Sequence, residues 1–200
     1  MRSSSAILIT LVLCAIAAPA GAERYILDPA HSRVTFTVTK WGIIDVEGQA
    51  QELRGELSWD PANPAGASTT WSIPVASLRT GEPDRDESLR APEYFDAARF
   101  PTASFTSTRA RSIDAQHLAL DGQLTLRGVT RPLSLVVAIL GERDVPGEGR
   151  LLVFETAFTL NRRDFGIVGG RVLGPVISDE VRMRVRAVGR LVPATSQPTQ

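Results

Sequence analysis

Cysteine is almost absent from this chain. Cys14 is its single cysteine among 200 residues, and it lies in an apolar run near the N-terminus. Disulfide bonds and thiol chemistry are therefore excluded for the rest of the chain. Histidine is nearly as rare, with only His31 and His117, and no His-x-His, His-Glu-x-x-His or Cys-x-x-Cys pattern is present. Because a zinc site needs three or four ligands at suitable spacing, we expect no metal.

Motifs for catalysis or cofactor binding are also missing. The chain has no Gly-x-Ser-x-Gly elbow and no glycine-rich phosphate loop. His31 could act as a base beside Ser32, but the segment 28–32 fits better as a turn in which Asp28 and Ser32 bond nearby backbone groups. We therefore predict a protein that is not an enzyme, with no catalytic residue and no cofactor.

An excess of charge of either sign is missing as well. The chain has 22 basic and 22 acidic residues. This balance provides no electrostatic attraction to nucleic acid or to an anionic membrane. The apolar run at 6–18 is too short to cross a bilayer. We expect neither nucleic-acid binding nor stable membrane insertion.

The N-terminal residues have the pattern of a secretory signal peptide. Arg2 is basic, and the apolar run is followed by Pro19 and a triplet of small residues at 20–22. We predict a signal peptide over 1–22, cleavage after Ala22 and a periplasmic protein. Residues 23–190 are long enough for one domain with a sizeable core. Residues 191–200 are predicted to form a disordered tail, because most of them are Pro, Thr, Ser or Gln.

Apolar residues recur with a period of two along most of the domain. In the last such segment, Val181, Met183 and Val185 alternate with arginines. One apolar and one polar face are typical of an antiparallel sheet. We predict an all-β fold of about eight or nine strands, arranged as a sandwich or a closed barrel. Only the stretch 84–91 looks helical, and Pro92 would end that helix.

Two short segments combine charged and aromatic residues. The first begins with Arg85 and Asp86. An arginine fork at a cavity rim suits a pyrophosphate or a carbonyl, with Asp86 orienting it, whereas the alternative is an ordinary first turn of a helix. The second segment, 161–166, contains two arginines and Asp164. A buried Arg–Asp pair that holds a loop at the barrel rim is the default interpretation there, and contact with a ligand headgroup is the alternative.

The inward faces of the strands carry more large apolar residues than a small core needs. Core packing is the default role for each aromatic residue, but any unfilled interior would be a long, dry cavity suited to an apolar chain. Each methylene removed from water contributes about 0.8 kcal/mol, so a long tail needs few polar contacts. The candidate ligand-binding residues are Phe36, Trp71, Arg85, Asp86, Phe95, Phe100, Phe105, Leu135, Phe158, Arg163, Asp164 and Phe165.

Short motifs follow one another in order from Tyr25 to Val188. They are Tyr25-x-x-Asp28-x-x-His31-Ser32-x-Val34-x-Phe36, Gly42 to Gly48, Ser77-x-x-Thr80, Arg85-Asp86 to Phe105, Gly122-x-Leu124 to Pro132, Arg163-Asp164-Phe165-Gly166, and Asp179-x-Val181. Behind a signal peptide, this series resembles the YceI-like family of polyisoprenoid-binding periplasmic proteins. The resemblance implies an extended, lipocalin-like antiparallel β-barrel with one short helical insertion. It also implies a tunnel for an isoprenoid chain, such as that of a quinone or a polyprenyl phosphate, and it is compatible with a homodimer.

The chain departs from the family pattern at two positions. Many members have His where this chain has Ser88, and many have His near Trp41. If those histidines hold a headgroup, this protein binds a different headgroup or holds it less firmly.

Three functions follow from these observations. A soluble carrier or buffer of isoprenoid lipid would have a continuous apolar tunnel. A non-catalytic interaction or stress-response module would have a packed interior and an exposed apolar patch. An enzyme acting on isoprenoid lipid would require His31, Arg85 or Asp164 to converge at a pocket with perturbed protonation behaviour.

Overall fold

The computed structural model describes residues 21–171 and 174–193, and most of these residues lie in antiparallel strands. The strands are β1 (Glu23–Leu27), β2 (Arg33–Lys40), β3 (Ile44–Ala50), β4 (Arg54–Trp59), β5 (Ser68–Pro74), β6 (Leu78–Arg79), β7 (Thr102–Ser112), β8 (His117–Leu126), β9 (Val129–Val145), β10 (Gly149–Asn161) and β11 (Glu180–Leu191). One α-helix, α1 (Pro83–Arg90), lies between β6 and β7. A 3₁₀ turn at Arg162–Phe165 follows β10.

The strands follow eight paths around a closed barrel. β11 pairs with β10 on one side, and with both β1 and β2 on the other, so β1 and β2 form one interrupted path. β3 and β4 form a second interrupted path because they pair with β2 and β1. β5 and β6 form a third, and β7 to β10 complete the ring. The predicted all-β barrel of about eight strands with one short helical insertion is confirmed.

The period-two pattern predicts correctly which side chains enter the barrel. On β11, Val185 and Ala187 are buried inside. The arginines that alternate with them lie outside and form ion pairs with Glu155 of the neighbouring β10 and with Asp45 of β3, one strand beyond β2. Because one side of each strand faces the interior, a single strand supplies both the core and the solvated surface.

Helix α1 starts and stops at prolines. Pro83 occupies its first turn, where a missing N–H costs nothing, and Pro92 follows its end. Asp84 and Asp86 near the start and Arg90 near the end suit the helix dipole. The predicted helix at 84–91 differs by one residue at each end. The segment 80–101 that contains α1 connects β6 to β7, two strands that do not pair with each other.

The interior contains two apolar clusters. The first includes the buried residues Tyr25, Trp59, Phe105, Leu118, Leu120, Leu135 and Leu152. The second includes Leu27, Val34, Ala50, Leu53, Ile73, Val75, Leu78, Val185 and Ala187. Rings in the first cluster lie directly on glycines of neighbouring strands: a Cβ at Gly122 would stand 2.3 Å from the ring of Phe105. Glycine is required at that position because the ring occupies the space of a side chain.

The ends of the chain fall largely outside the described residues. The predicted signal peptide lies there except for residues 21 and 22, and β1 begins at Glu23. At the other end β11 continues to Leu191, and the Val192 N–H donates to the Arg24 carbonyl at 2.8 Å. The first residues of the predicted tail therefore belong to the barrel, and residues 194–200 are outside the description. Between 21 and 193, apart from 172 and 173, no helix is long and apolar enough to cross a membrane.

A candidate ligand cavity inside the barrel

A cavity of about 570 Å³ lies inside the barrel. Its walls are inward side chains of β2, β3, β5, β6, β7, β8, β10 and β11, together with residues of the α1 segment and of the β10–β11 connection. The apolar lining residues are Val34, Phe36, Val38, Val46, Ala50, Trp71, Ile73, Val75, Leu78, Leu89, Tyr94, Phe95, Ala103, Leu124, Leu126, Phe158, Leu160, Ile167, Ile177, Val181, Met183 and Val185. Such a surface accepts an apolar ligand without polar contacts.

The cavity occupies only part of the barrel interior. Within the described residues, β1, β4 and β9 contribute nothing to its lining. Apart from Leu27 of β1, which belongs to the second cluster, their buried inward side chains belong to the first apolar cluster, in which Tyr25 and Trp59 are enclosed together with Phe105 of β7. We call the residues that line the cavity the hollow part, and the members of the first cluster outside that lining the packed part. Leu124 and Ile167 belong to the cluster but line the cavity, so they count with the hollow part. The expected long tunnel is therefore shortened, because large aromatic rings fill the packed part.

Polar groups mark where the cavity opens. Glu82, Asp84 and Ser88 line the cavity and are exposed to solvent at the same time. Arg85 and Lys40 line it as well and are half-buried. These five residues, referred to below as the rim, come from the α1 segment and from the last position of β2. The rim therefore offers both cationic and anionic groups beside an apolar interior.

Thr80 positions Arg85 at the rim. The Arg85 Nε donates to Thr80 Oγ1 at 2.8 Å and its Nη2 donates to the Thr80 carbonyl at 2.7 Å. The Thr80 hydroxyl donates in turn to Asp86 Oδ1 at 2.5 Å, and the Thr80 N–H donates to the same oxygen at 2.7 Å. Asp86 thus orients Arg85 through Thr80 rather than by a direct ion pair.

The buried carboxylate of Asp86 stays charged because of these bonds. Burial by itself would raise the pKa of Asp86. The two hydrogen bonds from Thr80, together with the charges of Arg79 and Arg90, outweigh burial and lower the pKa below its ordinary value. Asp86 lies outside the cavity lining. Its predicted contact with a ligand stays a prediction, and its position behind Thr80 does not favour it.

Arg162 is the buried arginine that holds the β10–β11 connection in place. Its guanidinium pairs with Asp179 at 2.9 Å and donates to the carbonyls of Ile167 at 2.8 Å and Gly174 at 2.9 Å. It also donates to the Ser178 carbonyl at 3.0 Å. Burial lowers its pKa, and the nearby Asp179 charge partly opposes that shift. The default interpretation of an Arg–Asp pair is correct for an arginine of this segment, but the partner is Asp179 and not Asp164.

Sequence reasoning missed Arg162, although the pattern contained a signal for it. Phe158 and Leu160 point inward from β10, and continuing the same alternation places Arg162 inward and Arg163 outward. Arg162 indeed lines the cavity, whereas Arg163 is exposed and its Nε donates to Asp179 Oδ1 at 2.6 Å. A charged residue in register with inward apolar residues marks a buried polar contact.

Five of the predicted binding residues line the cavity. They are Phe36, Trp71, Arg85, Phe95 and Phe158. They come from β2, β5, the α1 segment and β10, so the barrel brings together positions that are far apart in the chain. Binding of a ligand by these residues stays a prediction.

Three others are packed in the first cluster, outside the cavity lining. Phe105, Leu135 and Phe165 are all almost fully buried. Phe105 stacks on Trp71 with 5.6 Å between ring centroids, so Trp71 separates it from the cavity. The alternation correctly predicts that Phe105 and Leu135 point inward, but it does not show which part of the interior they reach.

The remaining predicted residues lie on the outside of the cavity. The Phe100 ring packs on Gly128, where an added Cβ would lie only 2.5 Å from the ring. The Arg99 guanidinium lies over the same ring, 5.1 Å from its centroid. Asp164 is exposed, and its backbone carbonyl accepts a hydrogen bond from Arg131 at 3.2 Å. Phe100, Arg163 and Asp164 therefore shape the loops around the barrel end.

His31, Arg85 and Asp164 do not come together at the cavity. His31 is exposed, and its Nδ1 lies 2.9 Å from Asp28 Oδ2 in the turn after β1. The hydrogen bond with His31 is the main reason that the pKa of Asp28 is lowered. Ser32 accepts the Val188 N–H at 3.1 Å, so its hydroxyl bonds a distant strand, β11, and not the nearby backbone that the turn interpretation predicts. Of His31, Arg85 and Asp164, only Arg85 lines the cavity. Among the described residues no cluster of His, Asp and Glu could hold a metal ion.

Relatives with related sequences cover most of the domain. The YceI-like domain family matches residues 25–188. A UPF0312 protein of Enterobacter sp. (strain 638) is 33% identical over 159 residues, which are 80% of this chain and 81% of the relative. A UPF0312 protein of Vibrio cholerae is 30% identical over 171 residues, which are 84% of this chain and 89% of the relative.

Solved structures share the fold at lower identity. BcnA of Burkholderia cenocepacia has a TM-score of 0.73 at 22% identity, covering 81% of this chain and 98% of that one. A polyisoprenoid binding domain from Saccharophagus degradans, implicated in plant cell wall breakdown, has a TM-score of 0.64 at 18% identity and covers 84% and 98%. A Campylobacter jejuni YceI protein has a TM-score of 0.64 at 23% identity and covers 76% and 88%. The family match over nearly the whole barrel, together with the UPF0312 relatives, shows that this chain belongs to the YceI-like domain family.

Proposed function

We propose that this protein binds the isoprenoid chain of a lipid in its cavity and carries or buffers that lipid in the periplasm. One observation carries the proposal: a cavity of about 570 Å³ has apolar walls, and most of its charged lining residues belong to the rim. A packed interaction module, the alternative from the sequence, would leave no such volume.

The chemistry of the cavity matches a long apolar tail with a polar end. Each methylene that leaves water contributes about 0.8 kcal/mol, so the walls stabilise a tail without specific contacts. At the rim, Lys40 and Arg85 provide cations for a phosphate or a quinone carbonyl. Ser88 also lies at the rim, where its hydroxyl donates to the Asp84 carbonyl at 2.8 Å. Ser88 cannot supply the positive charge of a histidine. The cations available to a headgroup at this rim are therefore those of Lys40 and Arg85.

The relatives and the N-terminal sequence support the proposal. The Saccharophagus degradans domain that shares this fold is described as polyisoprenoid binding. Residues 1–22 have the composition of a signal peptide, and the first strand begins directly after the predicted cleavage point. An exported barrel of this kind would keep an insoluble chain dispersed between two membranes.

Native mass spectrometry of the protein purified from its own periplasm tests the proposal. We expect a bound mass that organic extraction releases and that fragments as an isoprenoid quinone or a polyprenyl phosphate. The same spectrum reports whether the protein is a monomer or a homodimer. A protein that arrives empty, and that then takes up neither added ubiquinone nor undecaprenyl phosphate, would contradict the proposal.

Replacing either of two alanines by tryptophan shows whether the cargo occupies the cavity. Ala103 lines the cavity, whereas Ala157 is exposed on the outer face of β10. Ala103→Trp fills part of the volume and should remove the bound mass. Ala157→Trp adds the same side chain to the surface and should leave it unchanged. Equal lipid content in the two variants would show that the lipid binds elsewhere.

A further inference from the structure

The hairpin that joins β2 to β3 exposes apolar side chains to solvent. Trp41 is 59% exposed, Ile43 83% and Ile44 45%. We call residues 40–44 the hairpin tip. Lys40, at its base, belongs to the rim of the cavity. Exposed apolar residues are common singly, but three at one tip beside a ligand cavity form a continuous patch that calls for a function.

The backbone of the tip is unfavourable for the residue it carries. Trp41 has φ 55° and Gly42 has φ 71°, and the Ile43 N–H donates to the Lys40 carbonyl at 3.2 Å. Two successive left-handed residues are typical of a type I′ turn, in which Asn or Gly is preferred at the first position. A bulky residue there is strained. A turn needed only to reverse the chain would be more stable with Asn, so the exposed tryptophan indicates a role at the surface.

The tip lies at the end of the barrel where the cavity opens. In an antiparallel barrel alternate connections lie at the same end, so the tip shares its end with the α1 segment and with the connection 162–179. The Trp41 N–H donates to the Val176 carbonyl at 2.8 Å, and Lys40 bridges to Ile177, which lines the cavity. In the same connection Val168 is 51% exposed. Exposed apolar groups thus flank the opening.

The composition of the tip matches the surface of a bilayer. Lys40 is the single lysine of the chain, and its ammonium lies 4.1 Å from the centroid of the Trp41 ring. Tryptophan is enriched at the depth of lipid headgroups, and lysine extends its aliphatic stem along apolar surface while its charge reaches the phosphates. A protein partner would not account for the continuity between this patch and an apolar cavity.

We propose that the hairpin tip, together with Val168, docks reversibly on a lipid bilayer so that the cavity opens towards the lipid. A tail would then pass from the membrane into the cavity without crossing water. The transfer of a tail into the cavity rests on the proposed function, whereas docking on the bilayer does not require a bound cargo. A few side chains inserted at the interface give weak, reversible binding, which agrees with the neutral charge of the chain.

Vesicle flotation with the mature protein tests the docking. The vesicles consist of phosphatidylcholine, with and without phosphatidylglycerol, and contain no isoprenoid. We expect wild-type protein to float with the vesicles, and Trp41→Asn combined with Ile43→Ser to lower the partition coefficient about tenfold or more. Asn suits the left-handed turn, so this variant keeps its fold, and thermal unfolding checks it. Brominated lipids should quench the wild-type tryptophan fluorescence and spare that of the variant.

A matched control lies at the opposite end of the barrel. Ile113, in the β7–β8 connection, is 54% exposed and outside the cavity lining. Ile113→Ser should float like wild type. Wild-type protein that binds neither vesicle, or a double variant that floats equally well, would overturn the docking. A wild-type dimer that the double variant loses would overturn it too, because the tip would then be a contact between copies.

Cargo binding is measured separately with farnesol in vesicle-free solution. The double variant should bind farnesol like wild type but take up ubiquinone from vesicles at least about tenfold more slowly. Flotation without any farnesol or ubiquinone binding would refute the proposed function and leave the docking standing. Farnesol binding without flotation would refute the docking and leave the proposed function standing.

Discussion

The packed part and the hollow part of the barrel are made from the same strands and differ in how their interiors are filled. On β8, Leu118 and Leu120 are buried in the packed part, whereas Leu124 and Leu126 line the cavity. The alternation of apolar residues is the same throughout. Alternation therefore decides which side chains point inward, and the volume of those side chains decides whether space is left between them.

A phenylalanine ring packed on a glycine of the neighbouring strand occurs in both parts of the barrel, but it is enclosed in one part and faces the cavity in the other. Phe105 lies on Gly122 in the packed part, and Phe36 lies on Gly48 beside the cavity. Phe105 is also covered by Trp71 and is fully buried. Phe36 is only half-buried because one side of its ring faces the cavity. A ring packed on a glycine therefore contributes to the core when other side chains enclose it, and it forms part of the cavity wall when they do not.

Truncating these two rings should separate the parts most clearly. Phe105→Ala removes an enclosed ring and should lower the free energy of unfolding by about 3–5 kcal/mol. Phe36→Ala should cost less than half as much, because fewer contacts are lost, and should weaken cargo binding. Urea denaturation of the delipidated proteins measures both. Equal losses would mean that the hollow part is as well packed as the rest.

Arg162 stabilises the hollow part by hydrogen bonds where the packed part uses apolar contacts. Arg162→Ala leaves several buried carbonyls without donors and should lower the free energy of unfolding by about 3 kcal/mol. Arg162→Lys should recover little, since an ammonium cannot reproduce the fork of a guanidinium. Hydrogen exchange of residues 166–171 and 174–178 locates the effect. Wild-type protection of that segment in Arg162→Ala would contradict this role.

Adding one methyl group under each ring tests whether free space is present. A Cβ would stand 2.3 Å from the Phe105 ring at Gly122 and 2.2 Å from the Phe36 ring at Gly48. Gly122→Ala should destabilise the protein by about 2 kcal/mol because the enclosed ring cannot move. Gly48→Ala should cost clearly less, since Phe36 can turn into the cavity, and should reduce cargo capacity. The prediction fails if Gly48→Ala is the more destabilising substitution.

The smallest effect concerns the polar attachment of α1 to the barrel. Asp86→Asn weakens the bonds from Thr80 and should cost about 1 kcal/mol at neutral pH. The pKa of Asp86 is lowered in the folded protein, so its stabilising contribution is complete above the unfolded pKa of about 3.9 and is lost as the pH falls through the folded value. The difference between wild type and Asp86→Asn should therefore shrink in acid. A difference that does not change between neutral and acid pH would contradict the assignment.

Much of the fold follows from the sequence because its causes are local. Alternation predicts the strands and their inward faces, and Pro92 predicts where α1 ends. Part of the site follows in the same way: Phe36, Trp71 and Phe158 are inward residues that line the cavity. The same alternation places Arg162 inward beside Phe158 and Leu160, whereas the candidate taken from the 161–166 segment, Arg163, lies on the outside.

The sequence by itself determined an antiparallel all-β fold with defined inward faces and one short helix, since a period of two and proline stereochemistry act between close neighbours. Its alternation left a sandwich or a closed barrel open, and the resemblance to the YceI-like family selected the barrel. Only the tertiary structure decided where the barrel is hollow. Phe105 and Leu135 have the same inward pattern as Phe36, yet they are enclosed by rings and side chains from distant strands. The partner of Arg162 is likewise set by the connection that brings Asp179 against it. Both results depend on strand register around a closed ring, which places residues far apart in the chain in contact.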